Sequence, residues 1–240
     1  MTSEEARDRL ALAADLPLLE AEALYQRVAP FIGWVKVGLS LYVEQGPEAV
    51  RAFVDRGARV FLDLKLHDIP NTVRLAARAA GELGVSLLTV HAQGGAEMLK
   101  AAVTGAREGA AARGLAAPKV LAVTVLTSLS DRELSEMGQP TPVSEYALQL
   151  ARFAAAAGVD GLVCSPLEAN SLRAALPASL FLCTPGIRPA GAEKGDQARA
   201  ATPSAAVRSG SNLLVVGRPI YSAEDPLGAA RAIHAEISSA

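Results

Sequence analysis

The run Asp63-Leu64-Lys65-Leu66-His67-Asp68-Ile69-Pro70-Asn71-Thr72 places an anion, a cation and a second anion at short intervals on a chain that arrives as an apolar strand, Val60 to Leu64. Strand side chains alternate in direction, so Asp63 and Lys65 are expected on one face, with Leu62 and Leu64 packed on the other. Pro70 keeps Ile69 out of helical geometry, which carries Asp68 outward on an extended step before Thr72 caps the next helix. Charges on a strand of this kind need each other or a ligand as partners. An ammonium flanked by carboxylates suits a proton donor better than an amine nucleophile. Lys36, inside the apolar run Trp34 to Val37, adds a second cation. Two unit charges about 4 Å apart interact by roughly 4 kcal/mol at an effective dielectric near 20, so a substrate carboxylate beside Asp63 is disfavoured until it leaves. A carbanion left beside Lys65 would be stabilised and protonated there, and the chemistry this pattern suits is decarboxylation.

A second group of residues suits an anion. Gly217-Arg218 follows the apolar run Leu213 to Val216, and Arg188 lies in a long loop that would converge on it. Backbone N–H groups with two guanidinium groups favour a phosphomonoester. Gln197, later in that loop, has both a donor and an acceptor to read a polar ligand edge. His67 and His91 raise a metal hypothesis, but they lack zinc-ligand spacing. Net charge is −2 and the predicted pI is about 6.0, without the clustered Lys and Arg of a nucleic-acid surface, so the expected ligand is small. Cys164 and Cys183 both sit in apolar runs and read as buried thiols in a reducing cytoplasm. The N-terminus carries Glu4, Glu5 and Asp8 rather than a basic leader, and no apolar stretch is long enough to span a bilayer. The expectation is a protein that is neither exported nor membrane-embedded.

The elements that must position these groups follow a regular rhythm. Thr2 and Glu5 form a capping box for a short opening helix. Strands are predicted at Leu10 to Ala14, Trp34 to Val37, Val60 to Leu64, Ser86 to Val90, Lys119 to Val125, Gly161 to Cys164, Leu180 to Thr184 and Leu213 to Val216. Helices are predicted after each: from Pro17, from Gly46-Pro47, after Thr72, from Ala96, from Ser144, from Pro166, from Ser204 and from Asp225. The loop Pro185 to Thr202 is long enough to expect a functional role. Eight β-then-α units across 240 residues with no linker argue a single (β/α)8 TIM barrel domain over 1–240, of class α/β, rather than an open doubly wound sheet. Asp15, Lys36, Asp63, Lys65, His91, Thr127, Arg188, Gly217 and Arg218 all fall at or just beyond strand ends, and so collect at one barrel mouth.

With these residues in view, the sequence resembles the bacterial type of the orotidine 5'-phosphate decarboxylase family over nearly its whole length. The resemblance rests on Phe61 to Thr72, with Val35-Lys36-Val37-Gly38, Val90-His91-Ala92, Leu126-Thr127-Ser128, Thr184-Pro185-Gly186-Ile187-Arg188, Asp196-Gln197 and Val216-Gly217-Arg218 in the family order. It departs at Ala13-Ala14-Asp15, where the family usually has Ala-Leu-Asp. The resemblance implies a metal-free, cofactor-free homodimeric barrel that converts orotidine 5'-monophosphate to uridine 5'-monophosphate and CO2 at the end of UMP biosynthesis. It further implies Lys65 as proton donor, Asp63 beside the carboxylate, Lys36 paired with the aspartates, and Asp68 reaching into the partner's site. Asp15 and Lys36 would hold the ribose, Thr127 and Gln197 the pyrimidine, and Arg188, Gly217 and Arg218 the phosphate, with Thr72 among the substrate contacts. A related reading is a Mg2+-dependent sugar-phosphate barrel with the same Asp-x-Lys-x-x-Asp run, similar to 3-keto-gulonate 6-phosphate decarboxylase or hexulose-phosphate synthase. A catalytically silent phosphate-binding barrel is the reading from another class, and it would be expected to carry a broken charge set.

Overall fold

The computed structural model describes residues 1–189 and 199–240; Gln197 and Asp196 lie outside the described residues. The chain runs α1 (Ser3–Arg7), β1 (Leu10–Ala13), α2 (Leu18–Val28), β2 (Trp34–Gly38), α3 (Leu39–Gln45), α4 (Glu48–Val54), β3 (Arg59–Leu66), α5 (Pro70–Glu82) and β4 (Leu87–His91). It continues through α6 (Ala96–Ala112), β5 (Lys119–Val123), α7 (Asp131–Glu136), α8 (Val143–Ala156), β6 (Gly161–Val163), α9 (Ala169–Ala175) and β7 (Phe181–Thr184). It closes with α10 (Pro203–Arg208), β8 (Leu213–Val216), α11 (Arg218–Tyr221) and α12 (Pro226–Ser238). The strands β1 to β8 pair in sequence order, all parallel, and β8 returns to β1 to close the barrel. This is the (β/α)8 barrel expected from the rhythm of the sequence.

Period-2 alternation divides the apolar residues into two layers. Ala11, Ala13, Phe61, Leu87, Leu121, Val123, Val163, Cys183, Leu213 and Val215 fill the barrel interior. Their strand neighbours, among them Leu12, Val35, Val37, Leu62, Val90 and Leu182, pack outward against the helices. Phe61 and Asp63 share the inner phase while Leu62 takes the outer one, as the sequence pattern requires. The floor is filled tightly enough that Gly161 has no room for a side chain, since a Cβ there would press on Leu121 and Phe181.

Several boundaries differ from expectation for identifiable reasons. Thr72 does not cap α5; the helix opens at Pro70, with Ile69 as the extended residue before it (ψ 150°). Proline at the first helical position supplies the right φ and sacrifices only an N–H that has no partner there, so the cap position falls at Ile69, three residues before Thr72. Helix α9 starts at Ala169 rather than Pro166. There the Ser165 Oγ accepts the Leu167 N–H and the Glu168 carboxylate accepts the Ser165 N–H, which holds the chain in a turn first. The short helices α3, α7 and α11 were not anticipated, being too brief to establish a period. The capping box at Thr2 and Glu5 is present as predicted.

Helices α5 and α6 approach unusually closely. A Cβ at Gly105 would run into the Arg74 carbonyl, one at Gly109 into the Arg78 carbonyl, and one at Gly81 into the Ala106 carbonyl. Glycine at these places allows backbone to rest on backbone.

Candidate active site

The barrel mouth encloses a cavity of about 550 Å³ lined by residues from β1, β2, β3, β5, β6, β7 and β8 and the loops that follow them. Its polar wall is built from Asp15, Lys36, Asp63 and Lys65. Lys65 Nζ donates to Asp63 Oδ2 at 2.8 Å. Lys36 Nζ lies 3.7 Å from the same oxygen and 3.3 Å from Asp15 Oδ1. Gly38, at the end of β2, makes room for this cluster, because a Cβ there would sit 2.7 Å from Lys36 Nζ. Asp63 and Lys36 are both buried, at 8% and 9% exposure. Burial pushes the Asp63 carboxyl pKa up, but the Lys36 and Lys65 ammonium groups and hydrogen bonds from Lys65 and Thr89 outweigh it and hold the group below the ordinary carboxylate value.

Lys65 reaches this position by a local break in the strand rather than by plain alternation. The pairing of β3 with β4 shifts between Leu62 and Leu66, whose partners are Leu88 and Val90, so β3 carries extra residues in a bulge around Asp63 to Lys65. Lys65 has φ 52°, the one positive value on a non-glycine residue among the described residues. A left-handed backbone on a lysine costs about 1–3 kcal/mol unless its surroundings enforce it. Thr89, fully buried on β4, supplies that enforcement: its Oγ1 accepts the Lys65 N–H at 2.9 Å and donates to Asp63 Oδ1 at 2.9 Å. One hydroxyl therefore fixes both the backbone of the lysine and the carboxylate it pairs with.

Arg188, Gly217 and Arg218 also line the cavity, together with Tyr221. Burial and the like charge of Arg218 lower the pKa of Arg188, as expected for two guanidinium groups converging on one place. Leu126 and Thr127 also line the cavity. Asp68 is exposed and lies outside the cavity lining, its Oδ1 accepting the Ile69 N–H at 2.6 Å. Thr72 is likewise exposed on the first turn of α5, away from the cavity. His91 is half-buried beside His67, ring centroids 5.5 Å apart, and is not among the lining residues. Ala14, the departure in the first strand, is fully buried and donates its N–H to the Lys36 carbonyl, so Asp15 keeps its place opposite Lys36.

Thr89, bonded to Asp63, and Tyr221, in the cavity wall, are site residues that the sequence reading missed. Thr89 carries a readable signal, a hydroxyl on the inner phase of an otherwise apolar strand between Leu87 and His91. Tyr221 lies one helical turn after Arg218 on α11, a helix too short to be read from sequence.

A parallel barrel whose mouth holds a buried Asp–Lys set and two arginines in one cavity defines a (β/α)8 enzyme site suited to an anionic ligand. The model of the orotidine 5'-phosphate decarboxylase / HUMPS family matches residues 8–233, and the chain belongs to that family. It is 53% identical over 231 residues to the orotidine 5'-phosphate decarboxylase of Anaeromyxobacter sp. (strain K), covering 96% of this chain and 98% of that relative. It is 50% identical over 240 residues to the enzyme of the same name from Moorella thermoacetica, covering 99% and 95%. The crystal structure of orotidine 5'-phosphate decarboxylase from Lactobacillus acidophilus superposes with a TM-score of 0.85 at 40% identity, covering 96% of this chain and 99% of that one. Among the described residues no helix is long and apolar enough to cross a membrane, and no group of three or more His, Cys, Asp or Glu side chains is arranged to hold a metal ion.

Proposed function

We propose that this chain decarboxylates orotidine 5'-monophosphate to uridine 5'-monophosphate, a carboxy-lyase step of pyrimidine biosynthesis, without metal or cofactor. The observation that carries the reading is the 2.8 Å contact between Lys65 Nζ and Asp63 Oδ2 inside a cavity that Arg188 and Arg218 also line. With the phosphate at the arginines and the Gly217 and Arg218 backbone, the base lies towards the charge set and its carboxylate comes against Asp63. The bond from C6 to the carboxylate breaks, CO2 departs, and the electron pair left on C6 faces Lys65. Lys65 Nζ passes its proton to C6 and is reprotonated from solvent. Asp63 acts through repulsion that CO2 loss removes, so its effect is larger in the ground state than in the transition state. Asp15 and Lys36 hold the ribose, and Thr127 with Gln197 reads the pyrimidine.

Asp68 and Thr72 lie outside the cavity of their own chain, and we assign them to the site of a second copy in a homodimer. Exposure of Ile69 and Leu75 on the same segment supports a partner there. We further infer one catalytic barrel domain over 1–240 and a cytoplasmic location, the latter supported by the free buried thiols of Cys164 and Cys183.

The test is ultraviolet-monitored loss of orotidine 5'-monophosphate in excess chelator. Undiminished turnover is the expected result. Loss of activity on chelation, restored by Mg2+, would favour a sugar-phosphate barrel chemistry instead, and no turnover under any condition would refute the assignment.

A further inference from the structure

Arg199, between β7 and α10 in sequence, has a side chain that is 15% exposed, and its partner Glu168 is 5% exposed. The Arg199 guanidinium donates to Glu168 Oε1 through Nη1, and through Nη2 to the Leu126 carbonyl at 3.0 Å and the Val125 carbonyl at 3.5 Å. The other Glu168 oxygen accepts the Ser165 N–H at 3.1 Å, and Ser165 Oγ donates to the Arg199 carbonyl at 3.4 Å. One ion pair thus ties together the loops that follow β5, β6 and β7. Neither Arg199 nor Glu168 lines the cavity, whereas Val125, Leu126, Thr127 and Cys164 do.

Burying an ion pair is expensive, and well-packed apolar side chains would brace three loops at least as well. What apolar groups cannot do is fix the orientation of a peptide plane. A trans peptide holds its carbonyl and the following N–H antiparallel, so anchoring the Leu126 carbonyl also sets the direction of the Thr127 N–H. Arg199 has the planar, multi-donor head needed to hold Glu168 and a main-chain carbonyl at once; a lysine has a single point of attachment. The same stretch of chain is joined to the phosphate-suited residues by a separate backbone link, where the Arg188 N–H donates to the Ala201 carbonyl at 2.9 Å. That link uses no atom of the ion pair.

We propose that Arg199 and Glu168 are positioning residues that hold the Leu126–Thr127 peptide in the orientation needed to recognise the base of the nucleotide, and leave recognition of its phosphate untouched. The inference rests on the nucleotide reading given above. It is tested by titration calorimetry of the full chain with two ligands, uridine 5'-monophosphate and ribose 5-phosphate, in wild type and in Arg199→Lys, Arg199→Ala and Glu168→Gln. In the variants uridine 5'-monophosphate should bind about 3- to 10-fold more weakly, the range of one hydrogen bond between uncharged groups. Ribose 5-phosphate should stay within about twofold, as for groups that share no partner. kcat/KM for orotidine 5'-monophosphate should fall in step with the base-dependent affinity.

Equal weakening of both ligands would show a brace with no role in base recognition, and wild-type affinity for both in folded variants would remove the role altogether; either overturns the proposal. Should Arg199→Ala fail to fold, Arg199→Lys and Glu168→Gln decide, since both keep polar bulk in the same space. If wild type itself binds ribose 5-phosphate as tightly as uridine 5'-monophosphate, the nucleotide reading fails, a result distinct from loss confined to the variants.

Discussion

Thr89→Val removes a hydroxyl and little else, because valine nearly matches threonine in volume. Asp63 Oδ1 loses a 2.9 Å donor and the Lys65 N–H loses a 2.9 Å acceptor. A hydrogen bond to an ionised group contributes about 1.5–3 kcal/mol and an ordinary one about 1 kcal/mol, so roughly 2.5–4 kcal/mol is withdrawn from this corner of the site. That matches or exceeds the about 1–3 kcal/mol of strain expected for a left-handed lysine backbone, so the bulge should relax and Lys65 Nζ should drift from Asp63. A displacement near 1 Å at a reacting group costs about 100-fold in rate. We therefore expect kcat for orotidine 5'-monophosphate, followed by ultraviolet absorbance, to fall by about two orders of magnitude, equivalent to about 2.7 kcal/mol in the barrier. KM should change by less than about threefold, because Thr89 bonds only Lys65 and Asp63 in the site and neither Arg188 nor Arg218. Thr89→Ser restores the hydroxyl and should recover kcat while losing about 1 kcal/mol of stability with the methyl group. The reasoning is refuted if folded Thr89→Val keeps kcat within about threefold of wild type, or if Thr89→Ser is as slow as Thr89→Val.

Lys65→Ala should abolish turnover while uridine 5'-monophosphate still binds; a variant retaining more than a small fraction of wild-type kcat would remove Lys65 as the acid. Arg218→Ala should raise KM and lower kcat together, with partial rescue by free guanidinium, and an unchanged kcat/KM would misplace the phosphate site. Mixing Lys65→Ala with Asp68→Ala chains should restore roughly a quarter of wild-type sites if Asp68 serves the neighbouring subunit. Verified subunit exchange with no recovery would keep Asp68 in its own chain. Because the folded pKa of Asp63 is lowered, its ionisation contributes stability that is full above about pH 4 and lost as pH falls through the lowered value. The Tm of wild type minus that of Asp63→Asn should be level above about pH 5 and decline below about pH 4, whereas a difference level throughout would contradict the depressed pKa.

Strands were legible because alternation and apolar content agree on each of them, and once the strands are placed their C-terminal ends gather Asp15, Lys36, Asp63 and Lys65 without further information. The bulge at Lys65 was not legible. Its cause is tertiary, the match between a β3 backbone amide and a hydroxyl on β4, and no local propensity of Leu64-Lys65-Leu66 asks for a positive φ. Arg199 and Glu168 were hidden for a related reason. Each reads as an ordinary surface charge in its own segment, and only closure of the barrel brings them together behind Thr127. Thr72 was misread because a threonine ahead of an Ala-rich run is a cap signal, and Pro70 is an equally good one that comes first.

The glycines of α6 matter to the charged mouth of the barrel although they touch none of it. Helix α5 begins just beyond Asp68, and its Arg74 and Arg78 carbonyls rest directly on Gly105 and Gly109. The chain that leaves β3 after the left-handed Lys65 runs through Asp68 straight into this helix, so any load on the mouth bears on α5. A helix seated through long side chains would yield to such a load by changing rotamers, whereas main chain bearing on main chain has no soft layer to compress. The α5–α6 seam is in this sense an abutment, and it makes stiffness at the mouth adjustable from the outside. A methyl group added at Gly105 would lift α5 and slacken the setting of Asp63 and Lys65 while every group that meets the ligand stays chemically intact.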